Sequence, residues 1–87
     1  MDIKTNVYLI TKPGSLKAVA DVCIGGAFVA KGLRVIEGEN GTFVAMPSRN
    51  AGDKYEDTFF PVTKEAREQL YKSVLDTYEQ KLSQREE

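Results

Sequence analysis

Eighty-seven residues, 41% hydrophobic and 29% charged with a net charge of −1, describe one small globular domain. Histidine is absent and Cys23 is the only cysteine, which excludes an internal disulfide, a cysteine zinc cluster and the commonest general base. No apolar run approaches the roughly 20 residues that span a bilayer, and Met1-Asp2-Ile3-Lys4 does not open a secretory signal; the expected address is cytoplasmic, with no membrane partner.

In residues 2–10, DIKTNVYLI, β-branched content favours a strand with Ile3, Val7 and Leu9 on one face and Tyr8 and Ile10 on the other. Pro13-Gly14 centres a turn. LKAVADVCI, 16–24, alternates cleanly, with Leu16, Ala18, Ala20, Val22 and Ile24 sharing a face. Gly25-Gly26 suits a tight hairpin. The next strand, AFVAKGLRVIEG, places Val29, Leu33 and Val35 together, opposite Phe28, Arg34 and Ile36. That spacing sets Lys31 and Arg34 on opposite faces, and Gly32 marks a bulge or a close backbone approach.

Asn40-Gly41 between two apolar strands is a hairpin cue. The fourth strand, Thr42 to Met46, is apolar without a break, which predicts that both of its faces are covered, by the helix and by a partner chain. Residues 47–56, PSRNAGDKYE, read as a polar loop, followed by a short strand near Asp57–Phe60 that Pro61 limits. Thr63 is the expected helix N-cap, with Glu65 favourable to the first-turn dipole. The helix is predicted over about 64–82, leaving 83–87 as a frayed tail. Ala66, Leu70, Val74, Tyr78 and Leu82 trace its apolar stripe, and Glu65, Glu68, Asp76 and Glu79 oppose Lys72 on the outer side. An acidic outer face does not lie along phosphates, which argues against a recognition helix in a groove. The expected fold is α+β: an antiparallel meander of four to five strands, about 2–60, with one C-terminal helix packed across it, all within a single domain 1–87.

RVIEGENGTFVAMPSR, residues 34–49, resembles the signature of the stage V sporulation protein G (SpoVG) family, which orders an Arg-Val-Ile strand, an Asn-Gly turn and a Phe-Val-Ala-Met-Pro-Ser run in the same way. Asp57, Pro61, Arg67, Val74-Leu75 and Tyr78 also fall where that family has like residues. The resemblance implies a small bacterial cytoplasmic protein that binds DNA and RNA and regulates gene expression, linked by family to sporulation, septation and cell division. It also implies a homodimer formed through sheet edges. Nucleic-acid contacts, by the same resemblance, come from the loop after Met-Pro-Ser and from the helix start, which nominates Arg49 and Arg67. Asn50, Glu56 and Phe60 stand where many relatives carry a basic residue, an arginine and a histidine.

The candidate site is therefore Ser48, Arg49, Lys54, Tyr55, Lys64 and Arg67. Phe43 to Met46 carry no group that binds phosphate by charge, so they are scaffold. Helical phase sets Arg67 near the centre of the apolar stripe, where a charge needs a partner or an exit. It either pairs with Asp57 or Glu56, or joins Arg49 in an anion site at the helix N-terminus. Tyr55 either packs on the helix or offers its ring to an unpaired base. Cys23 reads as a small, half-buried side chain. No pair of carboxylates has acid–base spacing and no glycine pair is followed by Lys-Ser or Lys-Thr, so no catalytic residue, cofactor or metal is expected. The alternative to nucleic-acid binding is an assembly module that meets a protein through a sheet edge or the acidic helix face.

Overall fold

A computed structural model describes residues 1–86. Four strands, β1 (Ile3–Leu9), β2 (Leu16–Ile24), β3 (Phe28–Gly38) and β4 (Gly41–Ala45), form an antiparallel sheet in chain order. A separate two-stranded hairpin, β5 (Ser48–Asn50) with β6 (Tyr55–Asp57), follows, and α1 (Lys64–Glu86) closes the chain. This is the α+β meander with a C-terminal helix that the sequence predicts.

The core lies between one face of the sheet and α1. Val7 on β1, Ala18, Ala20 and Val22 on β2, Leu33 and Val35 on β3, and Val44 on β4 are buried against Leu70, Val74 and Tyr78. Buried groups on α1 recur every four residues because 3.6 residues per turn return them to one side. The helix crosses the sheet mainly over β1. There the hydroxyls of Thr5 and Ser73 share a hydrogen bond of 2.7 Å, satisfying two polar groups at the edge of an apolar layer.

The start of α1 is capped as predicted: the Ala66 amide donates to Thr63 Oγ1 at 3.1 Å. Thr63→Ala removes the acceptor for one of the orphan amides and is expected to cost about 1 kcal/mol of stability, read by thermal or urea unfolding. An unchanged midpoint would show that water replaces the cap in full. The far end departs from expectation. The helix continues through 83–86, a turn beyond Leu82, because Ser-Gln-Arg-Glu contains no glycine or proline to stop it. Glu87 lies outside the described residues.

Gly32, at φ +91°, sits at a register break: Ala20 pairs with Leu33 but Asp21 pairs with Lys31. One extra residue on β3 inverts the alternation, so Ala30 rather than Val29 shares the core face with Leu33 and Val35. Val29 turns outward. Lys31 and Arg34, expected on opposite faces, stand on the same outer face, paired with Asp21 and Val19. A second break, between Leu16 and Ala18, moves Leu16 out of the core row to pair with Ile36.

The β3–β4 turn is centred one residue earlier than the Asn-Gly cue implies. Gly38 pairs with Gly41, so Glu39 and Asn40 are the two connecting residues, and Gly41 takes the positive φ of +117°. On β4, only Val44 and the following Met46 are covered. Phe43 and Ala45 face the side without a helix, where Phe43 stays 49% exposed. The continuous apolar run is thus half core and half open surface, and the expected covering of both faces does not occur within one chain.

Candidate nucleic-acid interface

The segment expected as a polar loop is an ordered hairpin, and the short strand lies at Tyr55–Asp57 instead of Asp57–Phe60. Ser48 pairs with Asp57, Arg49 with Glu56 and Asn50 with Tyr55, and the Ala51 amide closes the turn on the Lys54 carbonyl at 2.8 Å. Its root is the Pro47 carbonyl, which accepts from both the Thr58 amide at 2.8 Å and Thr58 Oγ1 at 3.2 Å. Proline ends β4 by removing a ladder donor, and its carbonyl then starts the next pairing.

Every sequence-nominated residue is solvent-exposed. Ser48 and Arg49 lie on β5, Lys54 in the turn and Tyr55 on β6, with Tyr55 at 75% exposure. A ring this open does not pack on the helix. Arg49 Nη2 reaches Glu56 Oε2 at 3.4 Å, yet its side chain keeps 70% of its exposure. A cross-strand pair in water contributes little and exchanges readily for a stronger anion. Asp53 and Asp57 share the hairpin, so its acids offset Arg49 and Lys54.

Lys64 and Arg67 lie in the first turn of α1, also exposed. Lys64 Nζ approaches Glu68 Oε1 at 4.0 Å. Arg67 has no ion-pair partner among the described residues; Glu56, one of its two expected partners, is taken by Arg49, and Asp57 makes no ion pair there. Its position in the stripe does not bury it, because Leu70 is the first helix residue to reach full burial. Ahead of that point α1 runs past the core. No hydrogen bond or ion pair among the described residues joins the hairpin to the helix, so Arg49 and Arg67 belong to two separate exposed segments.

The outer side of α1 carries Glu65, Glu68, Asp76 and Glu79. Lys72 Nζ donates to Asp76 Oδ2 at 2.8 Å, and that bond, followed by the charges of Asp76 and Glu79, raises the Lys72 pKa above its ordinary value. Among the described residues no cluster of histidine, cysteine or carboxylate side chains is arranged to hold a metal, and no helix is long and apolar enough to cross a membrane.

Sequence reasoning missed the shared outward face of Lys31 and Arg34. The signal was present in Gly32, whose bulge inverts parity between them. Arg34 also reaches the hairpin root, with Nη2 donating to the Met46 carbonyl at 3.3 Å, and Gly32 approaches Pro47 from the same strand.

The SpoVG family model matches residues 1–80. A relative from Archaeoglobus fulgidus is 42% identical over 78 residues, covering 88% of this chain and 92% of the relative. One from Clostridium perfringens is 44% identical over 71 residues, covering 80% and 79%. Another, from Lachnospira eligens, is 43% identical over 74 residues, covering 84% of each. All three are named, provisionally, septation protein SpoVG. With the meander, the C-terminal helix and the Arg34-to-Arg49 signature in place, the chain belongs to the SpoVG family.

Proposed function

We propose that this protein is a nucleic-acid-binding regulator that holds phosphate through the β5–β6 hairpin and the start of α1, acting as a homodimer in the septation-linked role its relatives' names suggest. One observation supports this most: Arg49, Lys54 and Tyr55 all stand exposed on one rooted hairpin, with Arg49 on one face beside Glu56, Tyr55 on the other beside Asn50, and Lys54 in the turn. Phosphate meets the cations and an unpaired base meets the ring. The edges of β1 and β4 each pair on one side only, which leaves ladder groups for a second chain. Two copies link weak contacts, so modest charge per subunit gives useful avidity.

Binding of mixed DNA and RNA oligonucleotides is expected at roughly micromolar affinity in low salt. With two or three phosphate contacts, affinity falls about ten- to fortyfold between 50 and 200 mM salt. Arg49→Ala with Lys54→Ala weakens binding and flattens the salt slope, whereas Glu79→Ala retains both. Fluorescence anisotropy across a salt series checks this. Salt-independent affinity, or full binding by the hairpin variant, would sink the proposed contact.

The assembly reading has its own supporting feature. Met1, Phe60 and Val62 are exposed around an apolar cavity of about 210 Å³ that Ile3, Ile24 and Phe59 help to line. A wild-type protein that binds no oligonucleotide at low salt would favour that reading.

A further inference from the structure

The helix covers one face of the sheet, and the other face carries its own pattern. Tyr8 on β1, 53% exposed, stands in a row with Val19, Arg34 and Ala45. Phe43, in the next outward row, pairs with Ile36 and lays its ring against Gly38, where an added Cβ would meet Cε1 at 3.1 Å. Lys31 lies outward opposite Asp21, and Lys4 outward opposite Cys23. Neither lysine makes an ion pair among the described residues, and Arg34 binds a carbonyl, not a carboxylate.

We propose that this open sheet face is a platform for an unpaired nucleic-acid strand, with Tyr8 and Phe43 stacking bases and Lys4, Lys31 and Arg34 holding phosphates. The proposal rests on the nucleic-acid reading above and assigns the strand a path. Charge complementarity selects the occupant: Asp21 is the acid set among these three cations, whereas the hairpin's cations are offset by Asp53, Glu56 and Asp57. Two open rings give the face a use for bases as well as phosphates. Separated by three strand spacings and one two-residue step, they stand about 16 Å apart. That span accommodates a short stretch of single strand with Arg34 between its ends. A duplex hides its base faces and gains nothing from the rings. Arg34 also donates to the Met46 carbonyl, two residues before β5 begins, which sets this row of cations beside the base of the hairpin.

The test uses the full chain with labelled oligothymidylate, alone and annealed to oligoadenylate. Tyr8→Ala and Phe43→Ala are each expected to lose about tenfold in affinity for the single strand and to leave duplex binding unchanged. The Arg49→Ala, Lys54→Ala variant loses both. Since the chain has no tryptophan, Phe43→Trp supplies a reporter on the platform whose emission is quenched as the single strand is added. Tight single-strand binding that is indifferent to Tyr8 and Phe43, with an unquenched tryptophan, overturns the platform and leaves the hairpin reading standing. No binding of either probe by the wild type overturns both. A tryptophan that becomes buried with rising protein concentration alone assigns the face to a second copy and likewise overturns the platform.

Discussion

Leu33→Ala is expected to lower the unfolding free energy by about 2–5 kcal/mol. Leu33 is fully buried and among the largest side chains that are, on the central strand β3 and paired with Ala20, which cannot expand to fill the gap. An alanine there loses the transfer free energy of the removed carbons and leaves a void between sheet and helix. A domain of this length holds only about 4–13 kcal/mol in total, so the variant sits near the limit of folding. Urea denaturation reads the effect as a midpoint lower by roughly 1–3 M. A loss under about 1 kcal/mol would mean that the layers close over the vacancy and that the core is softer than its burial indicates.

The second large effect lies one residue away and has a different origin. Gly32→Val is expected to cost about 1–3 kcal/mol, because φ +91° is a conformation that a β-branched residue rarely adopts. Crowding is not the cause, since an added Cβ would meet Pro47 Cβ at 3.6 Å, an ordinary contact. Gly32→Ala should therefore carry much of the same loss, and the comparison by equilibrium unfolding separates strain from packing. Near-equal stability of wild type and the valine variant would show that β3 does not need its bulge. Leu33 and Gly32 are neighbours, so the two losses are not expected to add when combined.

The same glycine marks where sequence reasoning reached its limit. Alternation identified β2 and β3 and grouped Ala18, Ala20 and Val22 on one face of the first and Leu33 and Val35 on one face of the second, rows that the structure joins in the core. It could not choose between a bulge and a regular strand at Gly32, and parity beyond that point depends on the choice. Val29 and Lys31 were misassigned for this reason, and Leu16 for the second break, beside Ala18. The stripe from Leu70 to Tyr78 was legible because helical period is local. Arg67 was not, because phase gives a direction around the helix and says nothing of where the sheet ends. Residues 47–56 looked like loop since turn formers and charges dominate; the pairing within them is made by backbone groups that every such sequence possesses. Ser48, Arg49, Lys54, Tyr55, Lys64 and Arg67 are all exposed, which the sequence left open for Tyr55 and Arg67, and the partition of Arg49 toward Glu56 required the register.

The hairpin hangs from a single carbonyl, that of Pro47, and contributes no side chain to the buried cluster. Residues along it are thereby released from the demands of packing. Charges and rings can be exchanged there while the sheet and helix stay as they are, with any cost confined to one appendage.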